Sequence, residues 1–386
     1  MRTDLPAIVF GHIELVRPLA LEGIRCAVMT PRRDPTRLSR HVRTLGDWDT
    51  SRPDWERRTI DLLIRYAKRL RDRPPVFYEW DEHLLFLSRN REELEPYLRI
   101  PLHAHELNVA LTDKRAFCDL AAELDLPVPA TRFVEPSAEP LADLSDLGYP
   151  LIIKPHQRLD SQWIPIGGWK KALRVDTAQD MAELWPRLAE AGGKYLAQQY
   201  VPGEETSVES YHVYVDGQGE VVADFTDRKI RTRPRLQGHT TALRVSNLPD
   251  LTALGREMVR KLGLRGGVAK FDMKRDVDGR LYLMEVNPRF NLVHHPGARA
   301  GVNLPALVYA DLLGLPRPKA GPPRYGTTWV APGDLAAARE WEEPLTRWFP
   351  FALRSAAKGY WRWDDPMPFL GLVGQRVSQR IASRLS

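Results

Sequence analysis

Cysteine is nearly missing from this sequence: its 386 residues include only Cys26 and Cys118. Two cysteines cannot form a disulfide framework, which fits a reducing, cytoplasmic setting. Long apolar runs are missing too. Nowhere do about 18 apolar residues follow one another, as a membrane-spanning helix requires. The opening Met1-Arg2-Thr3-Asp4-Leu5-Pro6 lacks the apolar stretch of a signal peptide. No low-complexity tract interrupts the chain, and 43% apolar residues is ordinary for a globular protein. No stretch interleaves dense basic residues with stacking aromatics. The net charge of +6 therefore reads as solubility charge or as a match for a small polyphosphate, not for nucleic acid.

The length exceeds what one hydrophobic core can organise and predicts two or three packed domains. Residues 7–10 form a short apolar run, a helical stretch follows over 14–21, and a second run over 24–29 comes after the helix stop Gly23. That pattern opens a βαβ unit. The turn after the first run holds Gly11 but no GxGxxG, so dinucleotide binding has little support. An amphipathic helix over 61–70 and a strand over 76–78 complete an expected α/β domain, 1–105. A helix then starts near Lys114 and runs to about Leu124, with Thr112 as its cap. Strand-like runs follow at 150–154, 195–200 and 206–215. Beyond Leu315 the prolines 316, 318, 322 and 323 suggest a boundary. The basic, aromatic segment 316–386 reads as an appendage packed on the core, with a membrane-surface or partner-binding tail as the alternative.

The runs 268–275 and 280–286 flank Asp276-Val277-Asp278-Gly279, a hairpin signal. Pairing 277 with 280, or 276 with 279, gives every partner pair an odd sum. Residues two apart share a face of a strand, so Lys270, Asp272, Glu285 and Asn287 then stand together. Phe271, Met273, Tyr282, Met284 and Val286 are expected on the other, core-facing side. An even-sum register would separate the two carboxylates. The polar face would suit Mg²⁺, a hard cation that prefers oxygen donors, with Lys270 and Arg289 neutralising phosphate. A surface hairpin with solvated charges is the plainer reading of the same residues.

Glu285-Val286-Asn287-Pro288-Arg289, with Asp272 thirteen residues before Glu285, resembles the metal-binding signature of the ATP-grasp superfamily. Other pieces occur in the matching order. Asp113-Lys114 and Ile152-Ile153-Lys154-Pro155 resemble the segments whose lysines reach nucleotide phosphates. Gln198-Gln199-Tyr200-Val201-Pro202-Gly203-Glu204-Glu205 is similar to the adenine hinge. The resemblance covers about 106–315, with a preceding domain of the usual kind over 1–105. It implies an α/β (α+β) ATP-grasp core with two lobes, preceded by a Rossmann-like domain and followed by a small appendage. The cofactors it implies are ATP and Mg²⁺ or Mn²⁺. The ligand roles it implies are Asp272, Glu285 and Asn287 for metal; Lys114, Lys154, Gln198, Gln199, Tyr200, Val201 and Glu205 for nucleotide; and Lys270, Arg289 and Arg244 for catalysis. Gln199 and Val201 would meet adenine through their backbones and Glu205 the ribose.

Two features depart from that pattern. Gln198 stands where family members often have an acid, and its amide would contact adenine or a lysine. The expected lid over 156–170 offers Gly167-Gly168 between Trp163 and Trp169, bulky flanks suited to excluding water or touching the acceptor. Arg231, His239 and Arg244 are candidates for contact with phosphates or the substrate carboxylate. Asn291, His294 and His295 are candidates to line the same pocket, although neighbouring strand histidines would face opposite ways. The activity implied is an ADP-forming carboxylate–amine ligase working through an acyl phosphate. A kinase on the same fold and a non-catalytic nucleotide-binding protein are the alternatives. Its partners would be small-molecule carboxylate and amine substrates, with no nucleic acid and no membrane span, and a homodimer as the assembly to test.

Overall fold

A computed structural model describes residues 4–136, 141, 143–156, 162–168, 170–236, 238–319 and 321–385. The first domain is a four-stranded parallel sheet of β1 (Ala7–Phe10), β2 (Cys26–Thr30), β3 (Val42–Asp47) and β4 (Val76–Tyr78), ordered β3-β2-β1-β4. Both faces of β1, β2 and β4 are buried, which explains their near-continuous apolar runs. The helix after β1 spans Ile13–Leu21, and Gly23 leaves it with φ +76°, a conformation that favours glycine. The expected 61–70 helix lies earlier, at Trp55–Ala67.

A second sheet is small and antiparallel. Its strands are β5 (Thr131–Val134), β6 (Leu151–Pro155), β7 (Leu173–Val175) and β8 (Tyr195–Gln199), ordered β5-β8-β6-β7. Its core is its own: Leu151, Ile153, Trp163, Met181, Leu188 and Tyr195 pack together, apart from the other clusters. The Lys114–Glu123 helix leads into this lobe, and its cap is Asp113, whose carboxylate accepts from the N–H groups of Arg115 and Ala116 at 2.9 Å. Thr112 instead ends the preceding His105–Thr112 helix.

The third sheet has seven strands: β9 (Val208–Val215), β10 (Val221–Arg233), β11 (His239–Val245), β12 (Gly267–Arg275), β13 (Leu281–Asn287), β14 (Thr328–Val330) and β15 (Ala357–Lys358), ordered β13-β12-β9-β10-β11-β14-β15. One face packs Tyr211, Val213, Phe271, Met273 and Leu283 against the Pro249–Lys261 helix. Part of the other face joins the first domain in one core, where Tyr214, Phe225, Val245 and Trp329 belong to the same buried cluster as β1 and β4. The C-terminal segment is woven into this arrangement. Its β14 and β15 extend the large sheet, and the fully buried Arg17 pairs with Asp365, which also accepts from Ser39 and the Arg40 N–H. No helix among the described residues is long and apolar enough to cross a membrane.

Candidate active site

The β12–β13 hairpin closes differently from the sequence expectation. Asp276 N–H donates to the Arg280 carbonyl at 3.0 Å, an even-sum pairing around Val277-Asp278-Gly279, with Gly279 at φ +86°. That register continues through Arg275↔Leu281 and Met273↔Leu283. A bulge at Met284 then adds one residue, and the pairs become Asp272↔Glu285 and Lys270↔Asn287. The bulge, not the turn, unites the two carboxylates. It also revises the core: Leu281 and Leu283 are buried with Phe271, Met273 and Val286, while Tyr282 and Met284 are only partly covered.

Across the sheet, Asp272 pairs with Ser210 and Ser210 with Asp227, while Lys270 pairs with His212. These residues share one face. Lys270 Nζ donates to Asp272 Oδ2 at 2.8 Å, and Ser210 Oγ donates to Oδ1 at 2.7 Å. Burial would raise the Asp272 carboxyl, but the ammoniums of Lys270 and Lys229 outweigh it and hold the group well below the usual carboxylate range. Lys270 shifts the other way. Burial opposes its charge, and Asp272 and Asp227 restore it, so its ammonium titrates above the ordinary lysine range. Behind them His212 lies 2.6 Å from Asp227 and stacks on Phe225. His294, buried and pushed well below its ordinary value, has no hydrogen-bond partner on either ring nitrogen among the described residues.

The small lobe supplies the facing side. Lys154 Nζ donates to Gln198 Oε1 at 2.7 Å, and Gln198 Nε2 donates to Thr131 Oγ1 at 2.9 Å. Gln198 therefore orients a lysine. Burial lowers the Lys154 pKa against the attraction of Glu285, which ties this lysine electrostatically to the hairpin carboxylates. Lys114 Nζ donates to the Pro155 carbonyl, beside Lys154. In the hinge, Gln199 N–H is engaged by the Ala130 carbonyl at 2.9 Å, and Val201 is buried. The Tyr200 ring takes Arg174 from the small lobe at 4.5 Å and Lys274 from β12 at 5.0 Å, linking the two sheets. The Glu205 side chain, and residues 157–161 and 169 of the expected lid, lie outside the described residues. Trp163 does not face a substrate cleft; its indole is buried in the lobe core and donates to the Lys170 carbonyl at 2.7 Å.

Several expected residues stand elsewhere. Arg244 pairs with Arg228, and Arg228 with Glu209, one residue out of phase with the Asp272 row, so it projects from the opposite face. Arg231 is buried between Asp334 and Glu343 and pins the C-terminal helices. His239 is exposed at the start of β11. His294 and His295 open a helix, not a strand, and His295 turns away to Glu14 of the first domain at 2.6 Å. Arg289 does not present a free cation. Its guanidinium donates to Asn287 Oδ1 and the Glu79 carbonyl, each at 2.9 Å, and to Asp81, so it orients Asn287 and clamps the first domain to the hairpin. Sequence reading missed Ser210 and Asp227 and did not single out Lys229. A period of two along β10 would have selected Asp227 and Lys229 and passed over Arg228.

The clamp lies near a cavity of about 310 Å³ at the carboxyl ends of β1 and β2, lined by Gly11, His12, Thr30, Trp48, Trp80 and His83 among others. This is where the strand order reverses between β1 and β4, the usual position for a ligand crevice in an open parallel sheet. His12 bridges Asp34 and Glu79 at 3.1 Å each; burial opposes its charge, but the two carboxylates raise its pKa to about 10.

The donor set fits a hard divalent cation through oxygen alone. Asp272 and Glu285 sit opposite each other with the Asn287 amide oxygen beside them, and no group of three His, Cys, Asp or Glu residues suited to a metal occurs among the described residues. Phosphate oxygens and water would therefore have to complete the shell.

Residues 147–293 match the model of the ATP-grasp domain. The chain is 26% identical over 273 residues to D-aspartate ligase of Enterococcus faecium, covering 65% of this chain and 62% of that protein. It is 29% identical over 202 residues to D-alanine–D-alanine ligase of Ectopseudomonas mendocina, covering 49% and 60% respectively. The match thus spans about three fifths of the length of these relatives. Among solved structures, N5-carboxyaminoimidazole synthetase from Staphylococcus aureus complexed with ADP aligns with TM-score 0.62 at 18% identity, over 85% of this chain and 82% of that one. The biotin carboxylase domain of 2-oxoglutarate carboxylase from Hydrogenobacter thermophilus, in complex with MgADP, also gives 0.62, at 15% identity over 85% and 74%. The fold of these structures and the match over 147–293 agree: residues 147–293 carry an ATP-grasp domain.

Proposed function

We propose that the chain is an ATP-dependent, ADP-forming ligase that activates a substrate carboxylate as an acyl phosphate for capture by an amine. One observation carries the reading. Asp272 and Glu285 face each other across a hairpin and are surrounded by Lys154, Lys229, Lys270 and Lys274, drawn from two sheets. With Asp227 beside Lys270, four ammoniums stand about three carboxylates, and the excess is positive charge that a triphosphate would neutralise.

In this reading Asp272, Glu285 and Asn287 would hold Mg²⁺, which would supply charge neutralisation at the phosphate oxygens. Lys154, fixed by Gln198, binds the nucleotide phosphates from the small lobe. Lys114 lies one strand end away and serves the same group. Lys270 and Lys229, beside Asp272, would stabilise the negative charge of the transferred phosphoryl. Tyr200 and the backbone of Gln199 and Val201 bound the adenine, and Glu205 is assigned to the ribose. Arg289 acts as a positioning residue through Asn287. Arg244 is left out of the machinery. The switch-point cavity, joined to the hairpin through Glu79, Asp81 and Arg289, is the space for the second substrate.

Hydroxylamine trapping tests the proposal. With a panel of amino acids, hydroxy acids and dicarboxylates, the correct donor should give a hydroxamate with stoichiometric ADP and phosphate. ADP formation with a stable phosphoester and no hydroxamate would identify a kinase and overturn the ligase reading.

A further inference from the structure

The positive excess of this chain is not spread as its arginines are. From Pro344 to Ser386 seven cations stand against two carboxylates, so this segment holds +5 of the net +6. The same segment concentrates exposed apolar side chains. Half of the large hydrophobics exposed among the described residues lie between Leu345 and Val377.

The Leu345–Arg354 helix has no buried residue. One side holds it to the body: Trp348 Nε1 donates to Asp334 at 2.9 Å, and the Phe351 ring lies under Arg231 at 4.7 Å. Leu345, Phe349 and Leu353, four residues apart, form a stripe on the other side, 52%, 63% and 63% exposed. Arg347 and Arg354, both exposed, stand about half a turn round the helix from it, and the helix has no acid. Trp363, 83% exposed, follows in the connection. The Met367–Leu385 helix repeats the design. Gly371 meets Leu38, and Gln375 donates to the Arg33 carbonyl, on its inner side. Leu370, Val373 and Val377 lie on its outer side, Arg376 is exposed at the edge with its guanidinium donating to the Pro332 carbonyl at 3.1 Å, and no acid follows Asp365.

We infer that these two helices form a docking face for an anionic lipid surface. Apolar stripes backed by arginine, with an exposed tryptophan and no carboxylate on either helix, combine the two attractions that hold an interfacial helix: acyl-chain contact and headgroup charge. A protein partner would need to supply a matching acidic rim, whereas an anionic bilayer presents that charge everywhere. Docking would hold the enzyme at a membrane without a spanning segment.

Sedimentation of the full chain with vesicles tests this. Vesicles of about 30% phosphatidylserine in phosphatidylcholine should carry the protein down at about 0.1 M salt, and neutral phosphatidylcholine vesicles should bind it about tenfold less. The double variant Phe349→Glu, Leu353→Glu should lose about tenfold in partitioning while keeping its melting temperature, because neither side chain is buried. Raising the salt to about 0.5 M should release protein from the anionic vesicles. Absence of pelleting, or pelleting indifferent to lipid charge and to the double variant, would overturn the inference. So would a dimer in solution that the double variant dissolves, since the face would then be a self-contact.

Discussion

The two faces of the seven-stranded sheet are built from the same strands and separated by one step of register. On one face Tyr211, Val213, Phe271, Met273 and Leu283 lie under a helix, every one of them buried. On the other, Ser210, Asp227, Lys229, Lys270, Asp272 and Glu285 gather charge. The charge on the two sides is also handled differently. Glu209 on the core side is buried but fully answered, by Arg228 and by Arg275 at 2.7 Å. On the site side Asp227, Asp272 and Glu285 meet Lys229, Lys270 and Lys274 of this sheet and Lys154 of the small lobe, so the ammoniums exceed the carboxylates by one. Charges that balance one another hold structure together, whereas an unbalanced group invites a ligand. That difference can be broken experimentally from either side.

The largest effects should come from one substitution on each face. Glu285→Gln keeps the shape and removes a charge that faces ligand, so turnover should fall by about a hundredfold or more with little change in melting temperature. Phe271→Ala on the core face should do the reverse, costing about 3–5 kcal/mol of stability. Parallel kinetics and denaturant titrations would check both. A strongly destabilised Glu285→Gln would show that the carboxylate is structural and would end the contrast.

Next in size is Lys154→Ala. Its ammonium is held by Gln198 and attracted by Glu285, so its loss removes a charge-assisted contact to phosphate. ATP affinity should weaken by about tenfold to a hundredfold. Isothermal titration with ATP and Mg²⁺ measures this directly, and unchanged affinity would remove the small lobe from the phosphate site.

The strands carrying this chemistry were legible because their sequences alternate: Lys270-Phe271-Asp272-Met273 declares two faces by its pattern alone. The lysine–hinge spacing was legible through resemblance alone, since nothing local says that Lys154 and Gln198 will meet. The bulge at Met284 was not legible. The turn suggested one odd-sum register for the whole hairpin, whereas the strands leave the turn in even sum and reach odd sum only by admitting one extra residue. The arginines misled for a related reason. Arg231 and Arg289 both looked like phosphate ligands, but a guanidinium is equally suited to a buried carboxylate, and which role it takes depends on partners distant in sequence; Arg244 is set apart by register instead. Arg231 meets Asp334 and Arg289 meets Asp81, pairings that no local pattern announces.

A smaller, pH-dependent effect should mark the first domain, where His12 is held between the carboxylates of Asp34 and Glu79. Its pKa is raised to about 10, so the stability it provides is fully present below about 6.5, its ordinary value. That contribution is lost as pH rises from there through 10. The melting temperature should therefore fall between pH 7 and 10, by an amount reflecting on the order of a few kcal/mol. His12→Gln should start lower at pH 7 and show a flatter profile. An identical alkaline decline in the variant would assign the effect to other groups.

The smallest expected effect is also the sharpest test of the register. Arg244 and Lys229 are both cations on neighbouring strands, and Lys229 pairs with Leu243 while Arg244 pairs with Arg228. One step of chain separates Leu243 from Arg244, so their side chains leave opposite faces. Lys229 acts on Asp272, whereas Arg244 stands in the row of Arg228 and Glu209. Arg244→Ala should leave kcat/KM within about twofold and stability within about 0.5 kcal/mol, as for an exposed surface change. Lys229→Ala should lower turnover clearly while leaving the fold intact, and it should raise the Asp272 pKa by removing a neighbouring ammonium. If Arg244→Ala proved as damaging as Lys229→Ala, both sides of β11 would have to reach ligand. The face assignment that underlies the proposed site would then fail.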